Sequence, residues 1–110
     1  MNTVLGKEIV LVVDDSPDAL SLINDALEQA GMDVLVALEG RQALTIAKRI
    51  GPDIILLDAV MPNMNGFETC LALKADPALS SIPVIFMTGL TETEDVVKGL
   101  EVGGVDYLTK

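Results

Sequence analysis

The sequence contains no histidine and no tryptophan, and it has one cysteine, one tyrosine and two phenylalanines among 110 residues. The absence of histidine excludes imidazole acid–base catalysis and most zinc sites. A single thiol, Cys70, excludes an internal disulfide and reads as a small buried apolar residue on a helix. Aromatic residues make up 3% of the chain, too few for a base-stacking platform. Basic residues are also scarce: 7 against 17 acidic ones, a formal net charge of −10. That balance disfavours phosphate backbones and anionic membranes as partners. No apolar run approaches the roughly 18 residues of a membrane span. The opening "MNTVLGKE" is short and polar, unlike a signal peptide. These exclusions point to a soluble, cytoplasmic domain.

What is present alternates. Half of the residues are hydrophobic, and they gather in five short runs: Ile9–Val13, Val34–Leu38, Ile54–Leu57, Val84–Met87 and Val105–Leu108. Each is too short for a helix, and most are rich in β-branched residues. None alternates cleanly, which predicts strands buried on both faces. Helical patterns fill the gaps. Leu20, Ile23, Leu27 and Ala30 share one stripe, preceded by Ser16 as N-cap and Pro17 at the first helical position, and ended by Gly31. Ala43, Leu44, Ala47 and Ile50 form a second stripe, stopped by Gly51–Asp53. A third helix is expected from about Phe67 to Lys74. A fourth follows Thr91–Glu94, a capping-box pattern, and ends near Gly103 and Gly104. Strand–helix alternation with short connections predicts an α/β fold, a doubly wound parallel sheet with helices on both faces, in one domain spanning residues 1–110.

In such sheets, chemistry collects where strands end at their carboxyl edge. Those ends carry Asp14 and Asp15, then Glu39, Asp58, Thr88 and Lys110. If strand order reverses beside the first strand, Asp14, Asp15 and Asp58 become neighbours. Three adjacent carboxylates repel unless a cation joins them, and Mg²⁺ suits few protein ligands and several waters. A carboxylate can also attack phosphorus to form an aspartyl phosphate. Lys110 would then supply positive charge and Thr88 a hydrogen bond to phosphoryl oxygens. Taken singly, each residue has a plainer explanation: helix start, turn, strand end, solvated terminus. Their shared kind of position is what those explanations leave over.

With these residues in place, the sequence resembles the receiver domain of two-component response regulators, CheY-like in fold. The matching stretches are "LVVDDSP" (Leu11–Pro17), "DIILLDAVMPNMNGFE" (Asp53–Glu68), "PVIFMTG" (Pro83–Gly89) and "DYLTK" (Asp106–Lys110). The resemblance implies a five-stranded sheet in the flavodoxin-like order 2-1-3-4-5. It implies that Asp58 accepts a phosphoryl group from a sensor histidine kinase or phosphotransfer protein. Asp14 and Asp15 would hold Mg²⁺, with Asp15 and Asp58 as direct ligands and the backbone carbonyl of Val60 as another. Lys110 would contact the phosphoryl group, Thr88 would be the switch hydroxyl, and Tyr107 the aromatic that follows it. The output would be a reshaped fourth-helix and fifth-strand surface, read by a downstream effector domain or protein, in a signalling domain rather than a conventional enzyme. Within Met61–Gly66, the residues after the acceptor form a turn-rich loop, and Gly66 can take positive φ before the next helix.

Two departures from the family pattern carry expectations. The family continues past the lysine with a proline and a fifth helix, so the chain reads as truncated after its fifth strand, with the last helix absent. That would leave apolar surface beside the first helix and predicts self-association, or a domain rearrangement, to cover it. Val60 and Leu90 are apolar where they would flank the site, so slow loss of phosphate is expected. Three alternatives differ in class. A phosphotransferase with an aspartyl intermediate usually needs a second acid where Val60 stands. A flavin-binding domain needs a phosphate loop, which "DDSPD" would repel. A phosphorylation-independent interaction domain is disfavoured by the full set of site residues.

Overall fold

The computed structural model describes residues 8–59, 61 and 63–87 with their side chains, and residues 88 and 106–109 as strand backbone. The elements are β1 (Ile9–Val13), α1 (Pro17–Gln29), β2 (Asp33–Ala37), α2 (Gly40–Ile50), β3 (Ile54–Asp58), α3 (Gly66–Ala75), β4 (Val84–Thr88) and β5 (Asp106–Thr109). The strands form one parallel sheet in the order β2-β1-β3-β4-β5. The expected fourth helix, over residues 91–104, lies outside the described residues.

Local chemistry explains the boundaries. Ser16 caps α1, its side chain accepting from the Ala19 amide at 3.3 Å, and Pro17 follows at the first turn. Gly31, just past the helix, takes φ +87°. Gly51 ends α2 in the left-handed conformation, its amide donating to the Ala47 carbonyl. Lys48 and Arg49 lie in the last turn of α2, where cations complement the helix dipole.

Successive strand residues face opposite layers even though the sequence does not alternate. Leu11, Val13, Ile55, Leu57, Val84 and Phe86 pack with Ala43 and Ala47 of α2 and with Cys70 and Leu73 of α3. Val10, Val12, Leu56 and Met87 pack with Leu20 of α1 on the other face, joined by partly buried Ile23, Leu27, Val34, Ile54 and Ile85. Phe67 and Phe86 tie α3 to β4, with ring centroids 5.2 Å apart.

β2 departs from the expectation of burial on both faces. It is an edge strand, and Val36 is 43% exposed. The helical stripes also run out at their ends: Ala30 and Ile50 are exposed. Both lie at the last position of their stripe, Ala30 as the C-cap of α1 and Ile50 as the final residue of α2.

Candidate functional site

The parallel register sets the site. Val13 pairs with Leu57, so the next residues, Asp14 after β1 and Asp58 at the end of β3, sit side by side at the carboxyl edge. One carboxylate oxygen from each of Asp14, Asp15 and Asp58 lies within 4.8 Å of the others. Asp14 and Asp58 are buried, and Asp15 is exposed. The Asp14 amide donates to the Ala37 carbonyl at 3.1 Å, and Asp14 Oδ1 accepts from the Ser16 amide at 2.9 Å. The residue is thus tied to β2 on one side and to the start of α1 on the other.

Three carboxylates this close oppose one another, because two unit charges at such a separation interact by about 1 kcal/mol even in water and by more where water is excluded. The donor set is all oxygen and anionic, which fits a hard divalent cation and not a soft metal. Glu39, also at a strand end, does not join the group. It is exposed and precedes α2, where its carbonyl accepts from the Ala43 amide at 3.1 Å.

The backbone beyond Asp58 is held closely. The Ala59 amide donates to the Met87 carbonyl at 3.2 Å, and the Gly66 amide donates to the Ala59 carbonyl at 3.0 Å. Gly66 does not take positive φ. That conformation falls on Asn63, at φ +66°. Glycine is needed at Gly66 for space: a Cβ there would overlap the Asp58 carbonyl oxygen and lie 2.7 Å from Ala59 Cα.

Asp58 pairs with Met87, so Thr88 ends β4 one residue further along the same edge. Thr88 pairs with Thr109, and Tyr107 pairs with Phe86. The backbone therefore brings Thr88 to the aspartate edge and sets Tyr107 on the adjoining strand. Val60, Gly89, Leu90 and Lys110 lie outside the described residues.

Two features escaped the sequence reading. Asn65 caps α3 in a reciprocal box: its side chain accepts from the Glu68 amide at 2.9 Å, and Glu68 accepts from the Asn65 amide at 3.0 Å. The signal was present as "NGFE", an N-cap residue three positions before a glutamate. Lys74 Nζ donates to the Ser80 carbonyl at 3.0 Å and the Ile82 carbonyl at 2.8 Å, tying the loop after α3 to the helix. No local pattern announces that contact. Among the described residues, no helix is long and apolar enough to cross a membrane.

Comparison with known proteins agrees with this geometry. Residues 10–110 match the family model of the response regulator receiver domain. The chain is 41% identical over 104 residues to the DNA-binding response regulator MtrA of Mycolicibacterium smegmatis, covering 94% of this chain and 44% of that protein. It is 45% identical over 101 residues to the response regulator PleD of Caulobacter vibrioides, covering 92% of this chain and 22% of that protein. The chain thus spans less than half the length of these curated relatives. Among solved structures, it resembles the chemotaxis protein CheY4 of Vibrio cholerae with a TM-score of 0.92 and 33% identity, covering 96% of this chain and 88% of that one.

Proposed function

We propose that this chain, which belongs to the response regulator receiver domain family, takes a phosphoryl group onto Asp58 from a phosphohistidine on a sensor kinase or phosphotransfer protein. An Asp58 carboxylate oxygen attacks phosphorus as the P–N bond breaks. The bond electrons stay with the imidazole, and an acyl phosphate forms. Asp14, Asp15 and Asp58, with the Val60 carbonyl, would hold Mg²⁺. When bound, the ion would supply positive charge to offset the negative charge of the transferring phosphoryl group. The observation that carries this reading is the meeting of three aspartate oxygens within 4.8 Å at the carboxyl edge of the sheet.

The remaining groups have roles of position and charge. The Lys110 ammonium meets the phosphoryl oxygens, and the Thr88 hydroxyl donates to one of them. Tyr107 follows Thr88 inward, and the surface beside β5 is the readout. This is a shift between two packings driven by added negative charge and acceptor oxygens. Val60 and Leu90 offer no polar group to orient an attacking water, so the phosphoryl group is lost slowly. The signal passes to an effector that is a further domain or a separate protein.

Intact-mass measurement after incubation with a small acyl-phosphate donor tests the reading. One phosphoryl group is gained with Mg²⁺ present, none with a chelator, and none in Asp58→Asn. No Mg²⁺-dependent gain would overturn it in favour of a phosphorylation-independent interaction domain. Phosphorylation of Asp58→Asn at one site with unchanged kinetics would overturn the acceptor assignment.

A further inference from the structure

Gly40, the first residue of α2, is buried and has ordinary backbone geometry, so its lack of a side chain is not needed for a turn. It is needed for contact. A Cβ at Gly40 would overlap Thr69 Oγ1 and lie 2.9 Å from Met64 Sδ. Met64 belongs to the loop between β3 and α3, and Thr69 lies in the first turns of α3. The two neighbours differ in how far they can yield. Met64 lines an open cleft of about 570 Å³ with Glu39, Gly40, Arg41, Asn63 and Glu68, and its flexible side chain can retreat into it. Thr69 is fully buried, and its hydroxyl donates to the Asn65 carbonyl at 2.9 Å. A group added at Gly40 therefore pushes on α3 itself.

Gly66, at the start of α3, is pressed against the main chain of Asp58, with its amide donating to the Ala59 carbonyl. The first turn of α3 thus makes two close glycine contacts, one with α2 and one with the strand end that carries Asp58. We propose that Gly40 is a positioning residue for the Asp58 site. It lets α2 seat the β3–α3 loop at the height that metal binding and phosphoryl transfer require. This rests on the function proposed above.

The test uses Gly40→Ala, Gly40→Ala with Thr69→Ala, and Met64→Ala, the last loosening the contact rather than crowding it. Mg²⁺ affinity is read by calorimetry, and Gly66 amide protection by hydrogen exchange. Gly40→Ala is expected to weaken Mg²⁺ binding severalfold and to speed exchange at Gly66 while protection in β1 and β3 is kept. Adding Thr69→Ala restores both, a rescue that a purely structural defect elsewhere would not show. Met64→Ala, which keeps the core, also weakens Mg²⁺ binding. Wild-type affinity and Gly66 protection in both single variants would overturn the inference, as would failure of Thr69→Ala to rescue. Should the wild type itself bind no Mg²⁺, the function proposed above fails. Gly66 exchange then still decides whether Gly40 sets the loop.

Discussion

Gly66 lies so close to Asp58 that any side chain on it would occupy the space of the Asp58 carbonyl oxygen. The obstacle is backbone, which cannot rotate away as a side-chain tip can. Gly66→Ala must move either the start of α3 or the end of β3. Overpacking of this kind costs about 1–3 kcal/mol, and rigid backbone on both sides argues for the upper end. In a domain of this size a lowering of the melting temperature by about 4–8 °C for each kcal/mol is expected. Thermal melts with and without Mg²⁺ check this. Where the end of β3 yields, Asp58 moves with it, and stabilisation by the proposed Mg²⁺ is expected to be lost as well. A melt within a degree of wild type would show that the contact is relieved at no cost.

The aspartates were legible in the sequence because strand ends are local features: an aliphatic run that stops on Asp14 or Asp58 can be read without knowing its neighbours. β1 was legible from end to end for the same reason. The edge position of β2 was not, because Val34, Leu35 and Val36 look like any buried run, and only strand order leaves one side of β2 uncovered. The glycines show the same limit. Gly51, followed by proline, marks a helix end in the sequence itself, and the structure gives it the left-handed conformation. Gly40 and Gly66 serve close approaches between segments distant in sequence, and nothing in their flanking residues records what lies across the gap. From its flanks Gly66 reads only as a residue free to take positive φ, a conformation that the structure gives to Asn63 instead.

Asp15 is the exposed member of the acidic group, so replacing it disturbs packing least. Asp15→Asn removes one of three mutually repelling charges. In the absence of divalent ions it is expected to stabilise the fold by about 1 kcal/mol, an effect that shrinks as salt screens the remaining pair. With Mg²⁺ held as proposed, the order is expected to reverse. A bound ion stabilises by about 2.7 kcal/mol at a hundred times its dissociation constant, and the variant loses most of that. Melting temperatures in chelator and in excess Mg²⁺ should therefore cross over. A variant less stable than wild type in chelator would show that Asp15 makes a favourable contact outweighing the repulsion.

Cys70 is fully buried on α3, and burial raises its thiol pKa, with the positive charge of Lys74 pulling the other way more weakly. The folded protein therefore holds the thiol neutral where the unfolded chain has begun to release its proton. The linkage has a definite sign. Below the unfolded thiol value of about 8.5 the contribution to stability is fully present. As pH rises past that value the unfolded state gains from ionising and the folded state does not, so stability falls until the folded thiol also titrates. Urea midpoints measured from neutral to mildly alkaline pH should drop more steeply for wild type than for Cys70→Ala. The same burial predicts that iodoacetamide labels Cys70 slowly in the native protein and rapidly in urea. Prompt labelling without denaturant would mean that α3 opens readily, and the steeper alkaline decline should then be absent as well.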